Sequence, residues 1–228
     1  LEANIDFQLF VGGMHLSREF GLTIKKIEDD GFHIQEQLEF LLSSDTPVAI
    51  GKSMGLALIS AVEAFSRHRP DLLVILGDRF ESMAVAQAAM ITGIPIAHIH
   101  GGETTEGMID EAVRHSISKM AHLHFTATET YRKRVIQLGE HPERVFHFGA
   151  PGIDSIKKLK LLDRKNLSNA FNFNLDKPFF VLTFHPVTLT EGGESKALIN
   201  LLSVLRAYPN YKILISFPNA DSGNVEII

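Results

Sequence analysis

Short apolar runs alternate along the chain with segments of helical period, and glycine, proline or aspartate residues separate them. This alternation is typical of repeated strand-helix units, so it predicts an α/β fold with doubly wound parallel-sheet domains. The predicted strands are Asp6–Val11, Leu72–Leu76, Ile94–Ile99, Leu123–Ala127, Val145–Phe148, Phe179–Thr183 and Lys212–Ser216. The predicted helices are Met54–Arg67, Ser82–Thr92, Ile109–Ala121, Glu129–Leu138 and Ser195–Tyr208.

The second half of the chain departs from this regular pattern. Residues 156–178 are rich in lysine, leucine and asparagine and predict a linker, with a Rossmann-like N-terminal domain over residues 1–155. Residues 179–228 carry two predicted strands and one helix, too few for a complete doubly wound domain, so we expect the second domain to be incomplete. The chain begins at Leu1 without a methionine, and we expect a missing first strand and further structure beyond both ends.

The composition excludes several classes of protein. The 228 residues include no cysteine, which rules out disulfides, thiolate zinc sites and a cysteine nucleophile and fits a cytoplasmic location. Acidic residues outnumber basic ones, 27 to 22, so we expect no nucleic-acid partner. No apolar run approaches the ~20 residues of a membrane span and no leader pattern opens the chain, so we expect neither membrane insertion nor secretion.

One local basic cluster stands out against this acidic balance. It is Tyr131-Arg-Lys-Arg134, on the fourth predicted helix, with Glu129 before it and Glu140 after it. Because charge runs on helices usually face water, we expect a solvated helix face here rather than a phosphate-binding patch.

Polar side chains follow three of the predicted strands. They are Asp78 and Arg79 after the second strand, His98, His100 and Glu103 at the end of the third, and His185 after the sixth. Because the carboxyl ends of parallel strands open onto one crevice, we expect these residues to line a shared site. A carboxylate is costly to bury unpaired, so Asp78 should be functional or paired, with Arg79 as the candidate partner. Alternatively, Asp78 caps the helix that begins near Ser82.

The two histidines His98 and His100 alternate on their predicted strand, so their side chains should share a face. With nearby acids they could hold zinc or manganese, which makes a metal-dependent hydrolase an alternative function. Hydrogen-bonded core histidines are as compatible with the pattern as a catalytic role for either one. The next residues, Gly101 and Gly102, would let the backbone approach a ligand closely.

Two further acids, Asp110 and Glu111, open the third predicted helix, where the helix dipole favours anions. That structural explanation is sufficient by itself. The functional alternative is that they join Asp78 and Glu103 around one site, because crowded carboxylates push each other's pKa values apart and so provide an acid and a base together.

Several longer motifs resemble the hydrolysing UDP-N-acetylglucosamine 2-epimerases of sialic-acid-type sugar biosynthesis. They are Gly77-Asp-Arg-Phe-Glu81, His98-Ile-His-Gly-Gly-Glu103, the run from Asp110 to Lys119, the run from Thr126 to Gly139, Phe148-Gly-Ala-Pro-Gly152 and Phe184-His-Pro186. The resemblance extends from about Phe10 to Asn224. It implies a two-domain, glycosyltransferase-B-like fold with the nucleotide held partly by the C-terminal domain. It also implies cofactor-independent elimination of UDP to a 2-acetamidoglucal-like intermediate, followed by hydration to UDP and a free manno-configured sugar.

The resemblance also implies roles for individual residues. Candidates for the acid, the base and the ring-stabilising groups are Asp78, Glu103, Asp110 and Glu111; Arg79 and His185 would serve the diphosphate or proton delivery, and His98 and His100 would line the floor of the site. His100 stands where non-hydrolysing relatives carry an acid in a Val-Glu-Ala-Gly-Leu-Arg pattern. We interpret this departure as favouring hydrolysis over reversible epimerisation. Either His100 or Glu103 would then take the role of the acid at this position.

These observations leave three functions open. A UDP-N-acetylhexosamine 2-epimerase is the first; the others are the metal-dependent hydrolase and a non-catalytic UDP-sugar-binding module. The sugar itself is open between N-acetylglucosamine and a 2,4-diacetamido-6-deoxy analogue, which correspond to sialic-type and legionaminic-type pathways. We expect a homo-oligomer, either a dimer or a tetramer, and we expect these 228 residues alone to be inactive and a longer parent to be active.

Overall fold

The computed structural model of the chain describes residues 5–184 and 194–216. It divides into two compact units, Leu1–Ala150 and Pro151–Ile228. Each unit contains parallel strands joined by helices, so the predicted α/β class is confirmed.

The first unit contains six strands and five α-helices among its described residues. In chain order they are β1 (Leu9–Gly12), α1 (Ile24–Asp29), β2 (Ile34–Leu38), α2 (Pro47–His68), β3 (Leu73–Leu76), α3 (Phe80–Thr92), β4 (Ile96–Ile99), α4 (Ile109–Met120), β5 (Leu123–Thr126), α5 (Glu129–Gln137) and β6 (Val145–His147). Short 3₁₀ helices follow β1 at Gly13–Leu16 and precede β6 at Pro142–Arg144.

The strands of this unit form two separate parallel sheets. The larger sheet has the order β3-β4-β5-β6, and β1 pairs with β2 in a second sheet. Consecutive strands of the larger sheet are neighbours, and the helical connections between parallel strands are right-handed. The connecting helices α3, α4 and α5 therefore lie on the same face of this sheet. Ile75 and Ile96 pack there against Ile117 of α4 in a buried core. The carboxyl ends of β3, β4 and β5 therefore open at one edge.

Helix α2 begins at Pro47 rather than at the predicted Met54. The Thr46 side chain accepts a hydrogen bond from the Ala49 amide at 3.2 Å, and a proline is favoured in the first helical turn, which explains the earlier start. By length and composition alone α2 could cross a membrane, and 33% of its apolar window is buried. Its alanines Ala57, Ala61 and Ala64 are fully buried, as in a core helix packed against its neighbours.

Strand β2 and helix α1 were absent from the sequence prediction. The sequence Ile34-Gln-Glu-Gln-Leu38 has too few apolar residues to suggest a strand, and α1 has only six residues. Side-chain contacts connect β2 to α2 instead, because Glu36 pairs with Arg67 and lies 2.7 Å from Nε2 of His68. These contacts and pairing with β1 override the weak local preference for a strand.

The second unit contains α6 (Pro151–Lys158), α7 (Arg164–Ala170), β7 (Phe179–Leu182), α8 (Glu194–Leu205) and β8 (Lys212–Ile215). The two strands pair in parallel, with Phe180 opposite Ile213. The stretch predicted as a linker thus contains α7 and the end of α6, and the Asp163 carboxylate caps α7 by accepting from the Asn166 amide at 2.8 Å. The predicted domain boundaries at residues 155 and 178 stay predictions.

Candidate active site

A buried arginine connects the carboxyl ends of β3 and β4. Arg114 of α4 is 4% exposed, and its Nη2 donates to Oδ2 of Asp78 and, at 3.1 Å, to Oγ1 of Thr105. Its Nη1 donates to the main-chain oxygen of Glu103 at 2.9 Å. One guanidinium group therefore joins the loop after β3 to the loop after β4, and its planar arrangement of donors fixes the orientation.

The partner of Asp78 differs from the one that the sequence suggested. Arg79, the predicted partner, donates from Nε to Oε1 of Glu81 at 2.9 Å, whereas Asp78 contacts Arg114. The N-cap of α3 is Arg79 rather than Asp78, and among the described residues its side chain makes no capping hydrogen bond. Both the Arg79 pairing and the capping alternative for Asp78 are therefore wrong.

His100 and Glu103 form a pair on the loop that follows β4. The Nδ1 atom of His100 lies 2.7 Å from Oε1 of Glu103, and the two side chains are 26% and 31% exposed. A carboxylate only accepts, so Nδ1 carries the hydrogen of this contact and Nε2 is the ring nitrogen left for another partner. This arrangement suits an imidazole that exchanges a proton through Nε2.

His98 and His100 lie in different environments, because β4 ends at Ile99 and His100 has a left-handed backbone with φ 68°. The alternation that predicted a shared face does not extend to His100. His98 is fully buried; its Nε2 donates to the Gly77 carbonyl at 2.8 Å, and its Nδ1 accepts from Ser118 Oγ at 3.1 Å. In this position it supports the backbone before Asp78, and its predicted contact with substrate stays a prediction.

Burial determines the charge of His98. The loss of hydration inside the sheet lowers its pKa from 6.5 to about 4, and the hydrogen bond to Gly77 only partly opposes this. The ring is therefore neutral at pH 7. It serves as a fixed donor and acceptor rather than as a cation.

The glycines of the loop serve packing between helices and sheet. A Cβ at Gly101 would lie 2.9 Å from Ser118 Oγ, and a Cβ at Gly102 would lie 2.4 Å from the Tyr131 carbonyl oxygen. Gly102 also has φ +83°, which side chains rarely adopt. Side chains and backbone of α4 and α5 occupy the space on the Cβ side of both glycines, and the predicted close approach of a ligand to this backbone stays a prediction.

The two acids of α4 lie in its first turn, as predicted. Glu111 accepts from the Thr105 amide through Oε2 at 2.6 Å, and its Oε1 is 3.8 Å from Nε2 of His115. Because Thr105 also contacts Arg114, Glu111 belongs to the same hydrogen-bonded network as Asp78. Asp110 is half-buried in the same turn.

A sequence profile of the UDP-N-acetylglucosamine 2-epimerases matches residues 1–228. The chain belongs to this family. The GDP/UDP-N,N'-diacetylbacillosamine 2-epimerase (hydrolyzing) of Campylobacter jejuni is 41% identical over 226 residues, which are 99% of this chain and 59% of that protein. The polysialic acid biosynthesis protein P7 of Escherichia coli is 39% identical over 96% of this chain and 56% of its own length. The chain thus spans less than two thirds of these relatives.

A solved structure of the family shows the same fold. The UDP-GlcNAc 2-epimerase of Neisseria meningitidis bound to UDP-GlcNAc has a TM-score of 0.69 and 17% identity, over 96% of this chain and 68% of that one. The likeness confirms the predicted glycosyltransferase-B-like α/β fold class.

Against this family background, the structure brings four of the eight predicted residues into one network. The residues joined by hydrogen bonds are Asp78, His100, Glu103 and Glu111, through Arg114 and Thr105. Arg79 and His98 flank it, the first beside Asp78 in sequence and the second bound to Gly77. His185 lies outside the described residues. The catalytic and substrate-binding roles of all eight residues stay predictions.

The metal alternative gains no ligand set from the part of the chain that the structure describes. Those residues contain no group of three or more histidine, aspartate or glutamate side chains placed to hold a metal ion. Both ring nitrogens of His98 are already engaged in hydrogen bonds. His98 and His100 therefore do not present two available nitrogens to one ion.

Sequence reasoning overlooked Arg114 and Ser118 as parts of the site. Both are buried on α4 together with Val113 and Ile117. An arginine on the apolar, sheet-facing side of an amphipathic helix was the available signal, because arginines are almost never fully buried unless they are paired.

Proposed function

We propose that the complete gene product containing this chain is a hydrolysing 2-epimerase of UDP-N-acetylhexosamines. Removal of the C2 proton and cleavage of the anomeric C1–O bond release UDP and leave a C1=C2 double bond. Water then adds a hydroxyl group to C1 and a proton returns to C2 on the opposite face, which yields a free manno-configured sugar. The observation that carries the proposal is the His100–Glu103 pair, joined through Arg114 to Asp78 at the carboxyl edge of the sheet.

The His100–Glu103 pair supplies the proton transfer. Glu103 holds the Nδ1–H tautomer and stabilises the imidazolium that forms when Nε2 takes a proton, as a carboxylate does for a catalytic histidine elsewhere. General acid-base catalysis of this kind contributes roughly 10²- to 10⁴-fold to a rate. Because the hydration step delivers a proton to the opposite face of C2, it needs a second acid on that side of the sugar.

Asp78 supplies negative charge where the sugar ring becomes positive. Cleavage of the C1–O bond gives the ring oxocarbenium character, which a fixed carboxylate stabilises. Arg114, whose side chain is buried, holds the Asp78 carboxylate in one orientation through their ion pair. Asp110 and Glu111 remain candidates for the second acid or base, and Arg79 and His185 for the diphosphate.

The substrate is a UDP-linked 2-acetamido sugar. Support comes from the names of the two relatives, one a hydrolysing epimerase of diacetylbacillosamine nucleotides and the other a polysialic acid biosynthesis protein. N-acetylglucosamine and a 2,4-diacetamido-6-deoxy sugar are both carried forward as the hexosamine. We further propose a cytoplasmic homo-oligomer, whose nucleotide is held partly by the C-terminal domain.

The test is NMR of the complete gene product incubated in deuterated water with each UDP-sugar in turn. We expect UDP and a free manno-configured sugar that carries one deuterium at C2. A product that keeps its gluco configuration, or that stays attached to UDP, would overturn the proposal. Asp78→Asn should lower turnover about 100-fold or more, in the range found when one stabilising group is removed.

The same assay separates the two alternatives. Activity that chelators abolish and that zinc or manganese restores would favour the metal-dependent hydrolase. Binding of UDP-sugar without UDP release, under conditions where the protein is folded, would favour the non-catalytic binding module.

A further inference from the structure

Arginines from two different helices hold the loop that carries Glu103. Arg114 of α4 donates to the carbonyl oxygen of Glu103 at 2.9 Å, and Arg134 of α5 donates through Nη1 to the carbonyl oxygen of Gly102. These carbonyls belong to the two peptide groups on either side of the Glu103 Cα. Because each peptide group is planar, their orientations set the direction in which the Glu103 side chain leaves the backbone.

Arg134 is itself held in place on α5. Its guanidinium carbon lies 5.7 Å from the centre of the Tyr131 ring, one turn earlier on the helix. Gly102 packs against the same turn, since a Cβ there would lie 2.9 Å from Val135 Cγ2. The arginine therefore donates from a defined position on α5 to a loop that packs against the same helical turn.

The basic cluster of α5 does not form the solvated face that the sequence suggested. Only Lys133 of this cluster is exposed. Arg132 donates from Nε to the Val145 carbonyl at 2.9 Å and so ties α5 to β6, whereas Arg134 contacts the loop after β4. Both arginines thus donate to a backbone carbonyl, and Arg132 in addition pairs with Glu129 at 3.4 Å.

We propose that Arg134 is a positioning residue for the His100–Glu103 pair, acting through the Gly102 carbonyl and without contact to the substrate. This inference rests on the proposed function. Without the guanidinium group, the Gly102–Glu103 peptide can rotate, and the Glu103 carboxylate no longer meets His100 Nδ1 at 2.7 Å. Loss of this contact leaves the His100 ring without its fixed orientation, which affects proton transfer more than substrate binding.

The matched variants are Arg134→Met and Arg132→Met in the complete gene product. Each removes one α5 arginine that donates to a backbone carbonyl, so both should lower the melting temperature. We expect Arg134→Met to lower kcat roughly 10- to 100-fold, with KM within about twofold, because a misplacement near 1 Å has effects of that size. Arg132→Met should leave kcat within about twofold, and Arg134→Lys, which keeps one donor, should recover part of the loss.

A double variant and a spectroscopic measurement test the mechanism of the effect. If Arg134 acts through Glu103, adding Arg134→Met to Glu103→Gln should lower kcat by no more than about twofold further. Nitrogen NMR of labelled histidines reports the His100 tautomer without any need for turnover. Arg134→Met should mix the two tautomers, while Arg132→Met should keep the Nδ1–H form.

The outcomes distinguish this inference from the proposed function. Equal losses of kcat in the Arg132 and Arg134 variants, or an unchanged His100 tautomer in Arg134→Met, would overturn the positioning role. A large rise in KM at constant kcat would overturn it in favour of a phosphate contact. Failure of the wild-type protein to release UDP would overturn the proposed function alone, since the tautomer measurement still tests the positioning of His100.

Discussion

Arg114 is the ion-pair partner of Asp78, although the two residues are 36 positions apart in the sequence. The arginine side chain is 5% exposed and the aspartate 23%, so water screens this pair only weakly on the arginine side. The contact exists because α4, which follows β4, returns along the sheet and places its buried face under the end of β3. A single long-range pair thus fixes both the loop after β3 and the loop after β4.

Breaking this pair from either side should destabilise the protein. We expect Arg114→Met to lower the free energy of unfolding by about 3 kcal/mol, because it leaves the Asp78 carboxylate without its cation. Asp78→Asn should have an effect in the same direction, since it leaves a buried guanidinium group. Denaturant titration of the double variant should show a loss at least ~1 kcal/mol smaller than the sum. Strict additivity would show that the two charges are not coupled.

Stability should fall in mild acid because His98 is buried in its neutral form. Its pKa is lowered to about 4 in the folded protein and is 6.5 without burial, so the unfolded chain binds the proton first as the pH falls. The buried neutral His98 ring contributes about 3 kcal/mol to the free energy of unfolding. This contribution is complete above pH ~6.5 and is lost progressively as the pH falls to ~4. Burial also lowers the pKa of His124, which acts in the same direction.

The measurement is the free energy of unfolding across that pH range. His98→Gln removes a buried imidazole, so we expect a smaller pH slope than in the wild type. His33 is exposed, and His33→Gln serves as the matched control because it removes an imidazole from the surface rather than from the core. If His98→Gln kept the full slope, the buried neutral ring would not be its source.

The sequence predicted the parallel α/β fold and the site's edge because these depend on local patterns. Apolar runs mark β3, β4 and β5, and polar residues after them had to meet at the carboxyl edge of a parallel sheet. β2 escaped prediction because its stability comes from pairing with β1 and from the Glu36 contacts with α2, which a local pattern does not contain.

The partners within the site could not be predicted in the same way. Proximity in sequence suggested Arg79 as the ion-pair partner of Asp78. The actual partner is Arg114, which lies on α4. The prediction that His98 and His100 share a face was wrong, because His100 lies just beyond the end of β4 and has a left-handed backbone. The sequence also does not reveal that α4 and α5 pack against Gly101 and Gly102, because this packing joins elements that are distant in sequence.

Gly102 should tolerate no side chain. In Gly102→Ala the new Cβ meets the Tyr131 carbonyl oxygen at 2.4 Å in a left-handed backbone with φ +83°, so we expect a loss of stability of about 3 kcal/mol or more. Gly93, with φ +74° and nothing within 4 Å, isolates the backbone effect, and Gly93→Ala should lose only about 1 kcal/mol. Thermal and denaturant unfolding measure both. Similar losses would mean that contact with α5 does not constrain the loop.

Glu111 has a structural contact and a predicted catalytic role, and one substitution separates them. In the wild type the Thr105 backbone amide donates to Oε2 of Glu111 at 2.6 Å. The side-chain amide oxygen of Glu111→Gln can accept the same hydrogen bond, so the free energy of unfolding should change by less than about 0.5 kcal/mol. Turnover should nevertheless fall about 100-fold, because an amide cannot transfer a proton. Glu111→Ala removes the acceptor as well and should lose both stability and turnover. Full activity of Glu111→Gln would assign this carboxylate to anchoring Thr105 and leave Asp110 as the remaining acid of this helical turn.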